Sequence, residues 1–173
     1  MSNFHPDLLA GVASYPLELF RAVPDLDVVY VPIGLGSGVC ATVAARDALG
    51  LTTRVVGVVS ALAPAYARSW EAGEVVSVPV TTQLADGMAC RTPNPEALEI
   101  IRSNVDHLVE VDDEQVAAAM SLLFTATHNV AEGAGAAALA GAMHERDALT
   151  GQRVGVVVTG GNVDRDVFAR TLS

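Results

Sequence analysis

The sequence predicts an open α/β fold, a mostly parallel twisted sheet with helices on both faces. Three observations point there. Short β-branched runs alternate along the chain with longer Ala/Leu-rich segments, the order expected when parallel strands are joined by helical crossovers. Three of those runs, residues 28–33 (V-V-Y-V-P-I), 55–59 (V-V-G-V-V) and 154–158 (V-G-V-V-V), are apolar almost throughout, as strands are when both their faces are covered. Apolar residues make up 51% of the chain but aromatics only 5%, so small side chains must fill the core, which suits helices packed closely on a sheet.

The elements follow in order. An apolar-periodic stretch predicts a helix over residues 8–22, ahead of the strand at 28–33. A helix over 38–49 leads to the strand at 55–59, and another over 64–72 to a weaker strand candidate at 75–78. A further helix is expected over 95–104. A second weak strand, 108–111, precedes helix 113–128, which Asp112 or Asp113 can cap while Glu114 favours the dipole in its first turn. Helix 134–146, strand 154–158 and helix 164–171 complete the set. No linker, repeat or low-complexity tract divides the 173 residues, so one domain spanning 1–173 is expected.

Charge and composition exclude several functions. Twenty acids against ten basic residues give a formal charge of −10, which argues against nucleic acid and anionic membrane surfaces as partners. No apolar stretch reaches the roughly 18 residues a membrane helix needs, and the His5-Pro6-Asp7 start does not resemble a signal peptide. Cys40 and Cys90 lack the spacing of a zinc site or a disulfide framework, so buried free thiols and a cytoplasmic location are expected. All ten basic residues are arginines. Without a lysine, the usual amine nucleophile of carbonyl chemistry is missing, and the α-amino terminus is the one primary amine left.

Three segments could carry chemistry. Gly34-Leu35-Gly36-Ser37-Gly38 lies directly between a strand and an Ala-rich helix, where glycines let backbone N–H groups gather at the positive helix end and hold an anion such as phosphate. A tight connection without ligand would look the same. Thr159-Gly160-Gly161-Asn162-Val163-Asp164 follows the last long strand; it is either a second site turn presenting the Thr159 hydroxyl or an Asn/Gly turn capped by Asn162 or Asp164. Glu132 precedes a helix of tiny residues, where it either serves the dipole or faces a pocket. Ala85-Asp86-Gly87 is a further turn. A dinucleotide fingerprint fails because Val39 stands where its third glycine belongs and Val58-Val59-Ser60 supplies no ribose acid. A P-loop fails for want of lysine.

In this order the segments resemble the C-terminal half of the fold type II pyridoxal-phosphate enzymes, in the group of serine/threonine dehydratases (threonine ammonia-lyases) and serine racemases. V-P-I-G-L-G-S-G (residues 31–38) is similar to the family's glycine-rich phosphate loop, and T-Q-L-A-D-G (82–87) to its T-I-A-D-G stretch. V-A-E-G-A-G-A (130–136) is similar to its E-P-A-G-A helix start, and T-G-G-N-V-D (159–164) to its S-G-G-N-V-D turn. The resemblance runs from His5 to Asp164.

The resemblance implies pyridoxal 5'-phosphate as cofactor. Gly34, Leu35, Gly36, Ser37 and Gly38 would hold its phosphate through backbone N–H groups, Thr159 would bond the pyridine nitrogen, and Glu132 would lie near the ring edge. It implies β-elimination of a hydroxy amino acid to a 2-oxo acid and ammonia. It also implies departures: Leu35 and Ser37 replace two loop glycines. Val59 and Ala65 stand where some members carry the acids of a divalent-cation site, so no metal is expected. The family's N-terminal half, with the S-x-K-x-R-G lysine that forms the Schiff base, has no counterpart in these residues, so no catalytic residue is assigned and the chain should resemble most of one large domain, inactive alone.

A different class stays open. The same residues suit a non-catalytic α/β module that binds phosphate or cofactor, or that completes an enzyme in trans with a lysine-bearing N-terminal partner. Homo-oligomers are expected in either case, because a sheet without its companion strands exposes edges.

Overall fold

The computed structural model describes residues 4–172; the α-amino group lies outside them. Four strands, β1 (Val28–Pro32), β2 (Arg54–Ser60), β3 (His107–Val111) and β4 (Val154–Val156), form one sheet in the order β3-β2-β1-β4. Every pairing is parallel, and one row of neighbours, His107, Val56, Tyr30 and Val156, crosses the whole sheet. Strand side chains alternate between faces. Val29, Val31, Val55 and Val59 therefore enter one core, and Val28, Tyr30, Val56 and Val58 the other.

The first core is closed by α1 (Pro6–Val12), α2 (Ser14–Ala22), α3 (Ser37–Ala48), α4 (Ala65–Ala72) and α5 (Pro95–Asn104). They bring Phe20, Val39, Val43, Tyr66 and Ile101 against the sheet. The second is closed by α6 (Asp113–Thr127) and α7 (Gly133–His144), with α8 (Arg165–Thr171) packed outside through Phe168, whose ring meets Phe124 edge-on at 5.5 Å. Asp112 caps α6 in a reciprocal box with Gln115, so of the two candidate caps Asp112 is the one used. α7 is built of Gly and Ala because it lies close on the sheet: a Cβ on Gly141 would come within 2.7 Å of Val58.

Several boundaries differ from the sequence expectation for identifiable reasons. The helix expected over 8–22 is two helices separated at Ala13; Pro16 has no N–H to give the preceding turn, which interrupts the ladder. Residues 75–78 form no strand. Their backbone is satisfied elsewhere, Val76 donating to the Ser69 hydroxyl at 2.8 Å and Val78 to the Arg91 carbonyl at 3.0 Å. The strand expected over 154–158 stops at Val156, although the Val157 amide still reaches the Tyr30 carbonyl at 3.1 Å. Ala85-Asp86-Gly87 belongs to a single 3₁₀ turn, Asp86–Met88. No helix among the described residues is long and apolar enough to cross a membrane.

The strand order positions the site. β2 and β3 extend the sheet on one side of β1, while β4 returns to the other side. The connections after β1 and β4 therefore diverge beside each other at the carboxyl ends of adjacent strands, where open α/β sheets form their ligand crevice.

Candidate functional site

The turn after β1 is shaped for an anion. Gly36 is the residue preceding α3 and adopts φ 97°, in the left-handed region open to glycine. Leu35 keeps a negative φ, so the unusual backbone geometry falls on its glycine neighbour. No side chain caps α3, and its first helical bond runs from Cys40 to the Gly36 carbonyl at 3.1 Å. The amides of Ser37, Gly38 and Val39 thus lack acceptors within the helix, at the end where the peptide dipoles favour negative charge. From below, Tyr66 donates its hydroxyl to the Leu35 carbonyl at 2.8 Å. From the side, Tyr15 donates to the Gly38 carbonyl at 3.1 Å.

The facing wall is made of three segments in backbone contact. A Cβ on Gly34 would stand 2.3 Å from the Gly87 carbonyl oxygen, and one on Gly135 would stand 2.3 Å from that of Gly160. Only glycine permits these approaches. The Glu132 amide donates to the Gly160 carbonyl at 3.1 Å, and the Glu132 carboxylate accepts from the Asn162 amide at 3.0 Å. Glu132 thus ties the start of α7 to the turn after β4. Asp113, in the first turn of α6, holds the third segment by accepting from the Thr82 hydroxyl at 2.6 Å and from the Gln83 amide at 2.8 Å.

Between these walls lies a cavity of about 700 Å³ lined by Gly34, Leu35, Gly36, Ser37, Gly38 and Thr159. Six of the seven residues that sequence reasoning singled out therefore share one cavity. Glu132 is not among its lining residues; it holds the turn that carries Thr159 through the Asn162 amide. Asp164 precedes α8 without a side-chain cap bond. Val59 and Ala65 are both buried, Val59 within the first core.

Sequence reasoning missed the wall formed by Val12, Tyr15 and Leu19, which also line the cavity. Their spacing reads as an ordinary core stripe, and the break at Ala13 that turns them toward the site leaves only Pro16 as its signal. Met88 and Ala134 were likewise unmarked, though Ala134 sits inside the 130–136 motif and Met88 directly follows the one at 82–87.

The chemistry of the lining is one-sided. Among the described residues, no charged side chain, histidine or cysteine lines the cavity. It offers backbone amides and the hydroxyls of Ser37, Thr159 and Tyr15, the last kept protonated because burial raises its pKa. Burial pushes the nearby Cys40 thiol up to about 12 and raises the Tyr66 phenol, so neither ionises near neutrality. Such a site can bind and orient an anion and a flat ring. By itself it has no group to take a proton from carbon.

Comparison with known proteins agrees with this fold. The chain is similar to the L-threonine ammonia-lyase of Geobacter sulfurreducens, 38% identical over 160 residues that cover 92% of this chain and 40% of that one. It is similar to the L-threonine ammonia-lyase of Thermotoga maritima, 32% identical over 168 residues, with 97% and 42% covered. The chain thus spans under half the length of these two relatives. In fold it matches threonine deaminase isoform 2 from Solanum lycopersicum, with a TM-score of 0.90 at 22% identity, covering 96% of this chain and 49% of that one. A family model described as pyridoxal-phosphate dependent enzyme matches residues 1–160. The chain therefore belongs to the family of pyridoxal-phosphate dependent enzymes.

Proposed function

We propose that the chain is the cofactor-holding part of a threonine/serine ammonia-lyase, one α/β domain over 1–173. The amides of Gly34, Leu35, Gly36, Ser37 and Gly38 receive the phosphate, Thr159 meets the pyridine nitrogen, and Glu132 secures the turn at the ring edge. The observation that carries this reading is that the loop after β1 and Thr159 after β4 line one cavity.

The residues fit the cofactor. The uncapped first turn of α3 suits a phosphate, and the Gly87, Met88 and Ala134 wall suits the face of an aromatic ring. When bound, pyridoxal phosphate supplies the electron sink for loss of the α-proton and β-hydroxyl of a hydroxy amino acid, yielding a 2-oxo acid and ammonia. The neutral Thr159 hydroxyl carries no charge that would hold a proton on the ring nitrogen, which suits β-elimination. The chain brings no lysine and no base to the cavity. Attachment of the cofactor and proton transfer at carbon then fall to a lysine-bearing N-terminal partner, and the chain is inactive alone.

That missing base equally favours a second reading, a binding module that never takes part in turnover. Both readings include association, because β4 is a three-residue strand at a sheet edge. Both include a cytoplasmic setting, for which the unpaired buried thiols of Cys40 and Cys90 speak.

The test is calorimetric titration of the purified chain with pyridoxal phosphate, with and without inorganic phosphate, beside an assay of ammonia release from L-threonine. Reversible binding that phosphate displaces is expected, with no borohydride-fixed adduct and no ammonia. Binding indifferent to phosphate would sink the loop assignment. Turnover by the chain alone would sink the need for a partner. Ammonia release on mixing with a lysine-bearing N-terminal half selects the enzyme over the module.

A further inference from the structure

The peptide between Leu35 and Gly36 is held from the protein side. Tyr66 is only 1% exposed, and its hydroxyl has two backbone partners: it donates to the Leu35 carbonyl at 2.8 Å and accepts from the Asn94 amide at 3.4 Å. In a trans peptide the carbonyl oxygen and the following N–H point to opposite sides of the chain, and no cis bond occurs among the described residues. With the Leu35 oxygen turned down onto Tyr66, the Gly36 N–H is turned up. That side is the cavity, which Gly36 lines and Tyr66 does not.

Gly36 and Tyr66 constrain each other. A Cβ on Gly36 would stand 2.8 Å from the Tyr66 hydroxyl and 2.9 Å from the Ala97 Cβ, so the phenol sits directly beneath the turn with no room between them. A phenylalanine ring would fill the same buried volume. What the hydroxyl adds is the hold on one peptide plane.

We propose that Tyr66 is a positioning residue for the anion site: by bonding the Leu35 carbonyl it aims the Gly36 amide at the phosphate of the bound cofactor. This rests on the cofactor reading above. Leu35 carries a branched side chain where glycine would leave the plane free to rotate, and the bond from Tyr66 selects the one rotation that leaves a donor facing the ligand.

The test compares Tyr66→Phe with the unaltered chain in titrations with pyridoxal phosphate, pyridoxal and inorganic phosphate. Loss of one aimed neutral donor should weaken pyridoxal phosphate and inorganic phosphate by about five- to tenfold and leave pyridoxal unchanged. A merely structural role would weaken all three alike and overturn the proposal. The Gly36 amide resonance of the unaltered chain supplies a readout that needs no variant, even if Tyr66→Phe does not fold. It should shift on adding inorganic phosphate, whereas those of the distant Gly50 and Gly151 should not. If Ser37 and Gly38 shift but Gly36 does not, the positioning role falls and the phosphate loop stands. If no loop amide shifts and phosphate does not bind, both fall together.

Discussion

The carboxylate of Glu145 and the imidazole of His107 meet at 2.9 Å, joining the end of α7 to the start of β3. The same carboxylate accepts from the Tyr30 hydroxyl at 2.6 Å, and the other ring nitrogen of His107 lies 2.8 Å from Asp106. Arg54 stands 4.0 Å from Asp106 at the rim. Burial lowers the pKa of His107, but the hydrogen bonds and charges of Asp106 and Glu145 outweigh it and raise it above 6.5. A proton held more tightly by the folded chain stabilises the fold below the unfolded value, and the gain is lost as pH rises through the folded one. The urea midpoint should therefore fall as pH rises from the ordinary histidine value of about 6.5 through the raised value of the folded chain, and His107→Gln should flatten that slope. A slope unchanged in the variant would exclude His107 as its source.

Gly36→Ala combines two penalties, a left-handed φ of 97° and a Cβ 2.8 Å from the Tyr66 hydroxyl. A loss of about 1–3 kcal/mol is expected in urea unfolding, together with loss of phosphate binding. Gly50→Ala, also at positive φ but in open space, should cost less and leave phosphate binding intact.

Gly135→Ala drives a Cβ to 2.3 Å from the Gly160 carbonyl oxygen, backbone against which no side chain can yield. The turn bearing Thr159 must shift or α7 must retreat from it. A destabilisation of about 1–3 kcal/mol should accompany weaker binding of both pyridoxal and pyridoxal phosphate, measured by calorimetry, because the displaced turn carries Thr159, the residue proposed to meet the ring.

Asp113→Ala removes two charge-assisted bonds, to the Thr82 hydroxyl and the Gln83 amide, worth about 1.5–3 kcal/mol each at most. It should loosen the segment that carries Gly87 against Gly34, visible as faster amide exchange over residues 82–88 and weaker cofactor binding. Asp112→Ala breaks the cap of α6 alone. It should cost about 1 kcal/mol and spare both readouts.

How much of this was legible in the sequence follows from how local each cause is. The runs at 28–33 and 55–59 read as buried strands because both faces are apolar, and they are strands. Helix 95–104 was legible, and its start is fixed locally, by Asn94 and Pro95 acting within one turn. Gly34 to Gly38 announced the turn between strand and helix that the structure shows, and its place there is what suggested an anion site. What escaped depends on residues far apart. Tyr66 lies 31 residues from the carbonyl it holds, and nothing near either residue marks the pair. Tyr15 was invisible because a half-buried aromatic on an amphipathic helix looks the same over a core as over a cavity. Residues 75–78 have strand composition but no neighbouring strand, since Ser69 and Arg91 already take their hydrogen bonds.

The uncharged lining of the cavity governs how fast, as well as how tightly, an anion arrives. Amide dipoles act within a few ångströms, so they retain a phosphate without attracting it from a distance. The chain as a whole carries a formal charge of −10, and its net field repels an approaching dianion. Association should therefore be slow at low ionic strength and quicken as salt shortens the screening length towards about 8 Å, the reverse of a phosphate site ringed by arginine or lysine. In this protein, added salt would open the way to the cofactor instead of competing with it.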